Sequence, residues 1–242
     1  PYLAARYHLE RMTRSGAFGT DPARYLTDPY VPCGNSAKDG LHRFHVKQFH
    51  ESSCSVASVA SVINTLLDTQ GNLSGPPVTQ KDLLETVKAE HWKERMSENG
   101  YQGRRGLPLD VLGRVVKAAL DVHQVEYRSV EAVQATRKPG LTDPFKKILV
   151  QRLNRYEQKG DCLLIAHFDQ GSLIKEFHIP HISPVGGWDP DRSVVKVLDV
   201  DATQTFPYAV SLDRFFLGIS TNYNSVFRHF GYAEGGYIFI EI

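Results

Sequence analysis

Four residues carry the chemistry this sequence can be read for: Gln48, Cys54, His181 and Asp199. Cys54 opens a run of small and apolar residues, Ser53-Cys-Ser-Val-Ala-Ser-Val-Ala-Ser-Val62, at the start of an expected helix. A thiol is a strong nucleophile only as the thiolate, and a helix N-terminus and a nearby imidazolium both stabilise that anion. His181, in His-Ile-Ser-Pro-Val-Gly-Gly-Trp-Asp, is the candidate proton carrier. Asp199, ending Lys-Val-Leu-Asp, would fix its tautomer and stabilise its cation. Gln48, six positions before the thiol, is placed to donate its side-chain amide to a developing oxyanion beside the Cys54 backbone N–H. A thiol, then a His, then an acid, with a Gln ahead of them, describes acyl transfer or amide cleavage through a covalent thioester.

Gly186-Gly-Trp-Asp-Pro-Asp-Arg192 is dense in turn residues, so the flanking segments should form a hairpin. Pairing symmetric about residue 190 sets His181 directly opposite Asp199, where Cβ atoms lie about 4.5–5.5 Å apart. Cys33 and Cys162 have no such partners and read as structural. His178 and His181 invite comparison with a metal pair, but strand residues three apart face opposite ways, and zinc would need further ligands at spacings the chain lacks. No fixed metal or other cofactor is expected.

The elements must position these groups. Residues 1–45 begin with a short helical stretch near Leu3–Thr13 and then become rich in Gly, Pro, Asp and Arg, reading as an arm over the surface. Residues 46–242 read as one catalytic domain, helical to about 160 and sheet-forming from 161 onward. Apolar residues at 56, 59, 60, 63, 66 and 67 predict a helix over Ser53–Asp68, with Ala57, Ser58 and Ser61 small enough to let it sit at the centre of the fold. Thr79 should cap a helix running through Asp82–Glu90, and further helices are expected over Leu107–Leu120 and Phe145–Gln158, the last ending at Gly160. Val122–Val130 reads as a short strand, followed by strands at Leu163–Phe168, Phe177–Ile182, Ser193–Val200 and Gly236–Ile242. Trp92–Arg105 mixes charges with Gly and reads as a solvated loop; Arg104-Arg105 and Lys146-Lys147 read as solvated faces. Helices first and an antiparallel sheet afterwards describe an α+β fold.

With 242 residues and 41% apolar content the chain can bury one substantial core, or one core with a small lobe. A net charge of +1 with no long basic stretch argues against nucleic acid as partner. No run of about eighteen apolar residues is present, so no membrane span is expected. Three cysteines cannot build a disulfide framework, which favours a reducing compartment such as the cytoplasm. A start at Pro1 leaves room for a segment removed ahead of it, and with it a periplasmic or secreted location.

This chain order is that of papain-like cysteine enzymes, and from roughly Phe44 to Ile242 the sequence resembles the phytochelatin synthase family. That family carries a Gln six residues before a Cys that starts an Ala/Ser-rich helix, matched by Gln48 and Cys54. Its His lies in His-Phe-Ser-Pro-Ile-Gly-Gly, matched by His181-Ile-Ser-Pro-Val-Gly-Gly187, and its Leu-Asp-Val by Leu198-Asp199-Val200. The resemblance implies a papain-like fold and attack of Cys54 on the Cys–Gly amide of glutathione, with loss of glycine and formation of a γ-glutamylcysteinyl thioester. A second glutathione then takes the acyl group to give a phytochelatin, or water takes it to give γ-glutamylcysteine. Metal ions such as Cd²⁺ or Zn²⁺ enter, on this resemblance, as thiolate complexes of the substrate, and a homodimer stays open. The chain departs from the family at Ser53 and Ser55, where an aromatic residue and Gly flank the nucleophile, at Pro180, where Gly precedes the His, and at Asp201-Ala202-Thr203, which replaces Ala-Arg-Phe. The family's acid and Arg-Gly-Phe, which hold the γ-glutamyl amine and carboxylate, are not matched. In their place stand Asn222, Tyr223, Asn224 and Glu234-Gly-Gly-Tyr237, with Arg228 as one replacement for the carboxylate's partner. The chain as given ends with the catalytic domain, without the Cys-rich extension of plant members. Two other readings share these cues: a non-catalytic papain-like module that binds a thiol or peptide, and a cysteine peptidase with another amide substrate.

Overall fold

A helix that is buried along nearly its whole length sets the architecture, because everything else must cover it. The computed structural model describes residues 23–174, 176, 178–221, 232 and 235–242. The expected helix near Leu3–Thr13, Phe177, the stretch Asn222–Asn224, Arg228 and Glu234 lie outside them. The described elements run β1 (Arg24–Tyr25), α1 (Ser36–Arg43), α2 (Cys54–Thr69), α3 (Gln80–Thr86), a 3₁₀ turn (Ala89–His91), α4 (Trp92–Arg95), α5 (Leu109–Val122), β2 (Ser129–Gln134) and α6 (Thr142–Lys159). They continue with β3 (Cys162–Asp169), α7 (Gln170–Leu173), β4 (Pro180–Asp189), β5 (Val194–Val197), β6 (Tyr208–Ser211), α8 (Leu212–Ile219) and β7 (Gly236–Glu241). Among the described residues the sheet has seven strands in the order β1-β6-β5-β4-β3-β7-β2, each pair antiparallel. The chain is α+β, with the helical layer and antiparallel sheet of a papain-like fold.

In α2 every residue from Cys54 to Leu67 is buried. Such a helix tolerates Ser, Asn and Thr only if their polar atoms find partners locally. They do: Ser61 and Thr65 donate back to the carbonyls of Ala57 and Ser61, at 2.9 and 2.7 Å, and the Asn64 amide donates to Ala60 and Val78. Ser58 points outward and donates to the Ile182 carbonyl on β4 at 3.0 Å, which ties the nucleophile helix to the strand carrying His181.

The segment read as an arm supplies β1 at the sheet edge and α1, whose Ala37 and Leu41 are buried in the core. Several sequence expectations are corrected. The strand expected over Val122–Val130 starts only at Ser129, because Gln124 turns left-handed (φ 55°) and the amides of Gln124 and Val125 close the end of α5. The Thr79 capping box is present, but α3 stops at Thr86, before left-handed Glu90 and His91. Trp92 is fully buried rather than solvated, its indole N–H donating to Ser55 Oγ at 3.0 Å.

The β4–β5 hairpin is also shifted from the symmetric expectation. Asp189 faces Val194 across the turn, and a bulge at Gly186 lets Val185 face Val197, so Asp199 lies beyond the paired strand. Gly186 suits the bulge because a Cβ there would sit 2.5 Å from Leu198 Cγ. β5 ends at Val197, and the chain leaves the ladder through a bond from the Leu198 amide to the Pro184 carbonyl.

Candidate active site

Cys54 is the first residue of α2 and Ser53 its N-cap, yet Ser53 does not cap: its hydroxyl donates to the His50 carbonyl at 2.8 Å. The first-turn amides of the helix therefore have no side-chain acceptor competing with a thiolate or oxyanion. His181 follows Pro180 at the start of β4, paired across the sheet with Phe168, whose ring meets the imidazole edge-on at 5.5 Å. The exposed fractions are 8% for Cys54, 3% for His181 and 0% for Asp199. The three groups thus interact with little water between them, and charges placed there act strongly on each other.

His181 Nε2 meets Asp199 Oδ1 at 2.7 Å. The Cys54 thiol is close enough to bear on the imidazole's charge, and Nδ1 is the nitrogen that the Asp199 bond leaves free. The structure therefore brings Cys54, His181 and Asp199 together, although not by the strand register expected for them. Burial alone would discharge His181. The Asp199 charge and hydrogen bond, and after them Cys54, outweigh it and hold the imidazolium well above its ordinary range. Burial likewise works against the Asp199 carboxylate, but the His181 charge and hydrogen bond, the Asp201 amide and the Tyr208 hydroxyl bring it down to about 2.

The Asp199 segment is clasped by the chain ahead of the nucleophile. Lys47 Nζ and His45 Nε2 contact the Asp199 carbonyl at 2.6 and 3.1 Å, and the Gln48 amide donates to the Val200 carbonyl at 2.7 Å. This clasp delivers the Gln48 side chain to the cleft that Cys54 and His181 also line, where its Oε1 is buried without a hydrogen-bond partner. The cleft has a volume of about 420 Å³, and its other walls include Glu51, Ser52, Glu176 and Asp201. Arg105, Gly106 and Tyr232 also line it.

Other residues singled out in the sequence fall elsewhere. His178 Nδ1 pairs with Asp169 at 2.7 Å, so the two histidines of His-Ile-Pro-His serve different carboxylates. Cys162 is buried, and desolvation pushes its thiol up to about 12. Cys33 is exposed. Sequence reasoning missed Tyr208, which holds Asp199 from β6, because a Tyr in a strand does not announce which group it will bond, and Ser58, because a Ser in a helix does not announce a long-range partner. It also missed Arg105, read as a solvated charge; the glycines on either side, Gly103 and Gly106, were the available signal of a specially shaped loop.

The sequence profile of the phytochelatin synthase family matches residues 39–232, most of the chain and all four candidate residues. The chain belongs to that family. Among curated proteins, none matches it. No helix among the described residues is long and apolar enough to cross a membrane.

Proposed function

We propose that this protein is a cysteine-nucleophile γ-glutamylcysteinyl transferase or hydrolase that cleaves the Cys–Gly amide of glutathione. The observation that carries this reading is the buried Asp199–His181–Cys54 group opening into the cleft, in a chain of this family. The Cys54 thiolate adds to the amide carbonyl, and the Cys54 backbone N–H and the Gln48 side chain stabilise the oxyanion. Imidazolium His181 gives its proton to the glycine nitrogen as the C–N bond breaks. Glycine leaves, and the γ-glutamylcysteinyl group remains as a thioester on Cys54. Neutral His181 then takes a proton from water, or from the amine of a second glutathione, as that nucleophile displaces Cys54. The products are γ-glutamylcysteine or a phytochelatin. Cd²⁺ or Zn²⁺ would enter as thiolate complexes of the substrate, with no protein site required.

The test is mass spectrometry of the protein incubated with glutathione. A γ-glutamylcysteinyl adduct on Cys54, with stoichiometric glycine release that Cys54→Ala abolishes, is the expected result. Reversible binding without either product would replace the enzyme by a binding module. A Cys54-dependent product from another amide alone would keep the mechanism and change the substrate.

A further inference from the structure

Arg105 is the only Lys or Arg among the described residues that line the cleft; the other charged side chains on its walls, apart from His181, are the carboxylates of Glu51, Glu176 and Asp201. None of the ion pairs among the described residues involves Arg105, and its Nε is buried with no hydrogen-bond partner. A buried N–H on a cation without an acceptor is costly, and folded proteins rarely keep one without a use. Its fork geometry is that of a carboxylate binder.

The loop around Arg105 is built to hold it in place. Tyr101 and Arg104 pair backbone to backbone, the Gly106 amide donates to the Arg95 carbonyl, and the Tyr232 hydroxyl donates to the Arg105 carbonyl. Gly106 has φ +73°, and a Cβ on it would lie 2.1 Å from that hydroxyl, so only glycine lets the loop close against Tyr232. Tyr232, Gly106 and Arg105 line the same cleft as Cys54, which puts this loop on the nucleophile's site. The position before Gly236-Tyr237, where the resembled Arg-Gly-Phe has its arginine, is Gly235. A Cβ there would lie 2.5 Å from the Ile219 carbonyl oxygen and 2.6 Å from that of His167, so no side chain fits.

We propose that Arg105, from the loop before α5, binds the substrate's carboxylate in this protein. On the reading of the cleft as a glutathione site, on which this identification rests, that carboxylate belongs to the γ-glutamyl group and remains bound in the thioester. Arg105 is a specificity residue; it takes no part in the proton transfers.

Two measurements test this on the intact chain. The first compares alkylation of Cys54 by a neutral maleimide and by maleimides bearing a carboxylate on short and long arms. Wild type should prefer one carboxylate reagent by about 10-fold or more, Arg105→Gln should abolish the preference without slowing the neutral reagent, and Arg105→Lys should restore part of it. The second compares KM for glutathione, its glycyl ethyl ester and its γ-glutamyl α-amide. Arg105→Gln should raise KM about 10- to 100-fold for the first two, with kcat little changed, and leave the α-amide unaffected. A carboxylate preference that survives in Arg105→Gln, or a loss confined to substrates with a free glycyl carboxylate, overturns the proposal. If wild type releases no glycine from glutathione but Arg105→Gln still loses the reagent preference, the glutathione reading fails and Arg105 keeps its role.

Discussion

Tyr208 donates its hydroxyl to Oδ2 of Asp199 at 2.7 Å, the carboxylate oxygen that His181 leaves free. Oδ1 takes both His181 and the Asp201 amide, so the buried carboxylate is hydrogen-bonded on both oxygens. That arrangement keeps Asp199 ionised in a site where burial would otherwise neutralise it.

Tyr208→Phe should therefore destabilise the fold by ~1–3 kcal/mol, the usual cost of stranding a buried acceptor. The pH dependence has a definite sign. A carboxylate at about 2 in the folded state, against an ordinary 3.8, stabilises the fold fully above 3.8 and loses that contribution as pH falls toward 2. Removing the Tyr208 donor raises the folded-state value, so the variant's acid-unfolding midpoint should move to higher pH. Thermal melts across the acid range check this. A midpoint identical to wild type would mean that the Tyr208 bond does not hold the carboxylate.

The three cysteines should separate under native alkylation. Cys162 should resist iodoacetamide, since it is buried and its thiol is pushed up to about 12. Cys33 is exposed and should label at a rate indifferent to changes at position 181. Cys54 should label fastest near neutral pH and slow by about 10-fold or more in His181→Ala, because the base that takes the thiol's proton is gone. Equal slowing of Cys33 and Cys54, or none at Cys54, would remove His181 from the nucleophile's activation.

The group Cys54–His181–Asp199 was legible because each residue sits in a short local pattern. A small-residue helix start marks the thiol, a turn-rich hairpin follows the His, and a strand end carries the acid. The strand register around them was not legible: pairing symmetric about residue 190 is not the one the hairpin adopts. The strands are offset by a bulge at Gly186, where Leu198, twelve residues away, leaves no room for a Cβ. Ser58 and Arg105 were hidden for a related reason: their contacts, Ile182 and Tyr232, lie more than a hundred residues along the chain. Tyr208 meets Asp199 across a loop whose path its own neighbours do not encode. The edge strand Arg24–Tyr25 was likewise invisible, since two residues carry no alternation and owe their pairing to Ala209 and Tyr208.

Gln48→Ala should lower kcat by about 100- to 1000-fold with KM nearly unchanged, the effect of removing one donor from an oxyanion that forms only in the transition state. The backbone bond from Gln48 to Val200 does not involve the side chain, so the fold should be preserved. Steady-state kinetics with glutathione, paired with a melt, separates the outcomes. A raised KM with kcat intact would assign Gln48 to ground-state binding instead.

The fate of the acyl group follows from how much of the cleft is left to hold a second substrate. Transfer requires another glutathione amine poised against the thioester, whereas hydrolysis needs only water with access to it. Apart from imidazolium His181, the described walls offer one cation, Arg105, and the acyl half already bound takes it. The remaining charged lining, Glu51, Glu176 and Asp201, repels rather than gathers the carboxylates of a second glutathione. Release of γ-glutamylcysteine and glycine is therefore expected to compete strongly with phytochelatin formation. Added Cd²⁺ or Zn²⁺ should shift the balance toward transfer only by altering the substrate's charge as a thiolate complex. Product analysis on wild type and Cys54→Ala, with glutathione alone and with each metal, decides it. Phytochelatins dominating over γ-glutamylcysteine without metal would show that the acceptor has a site these walls do not account for.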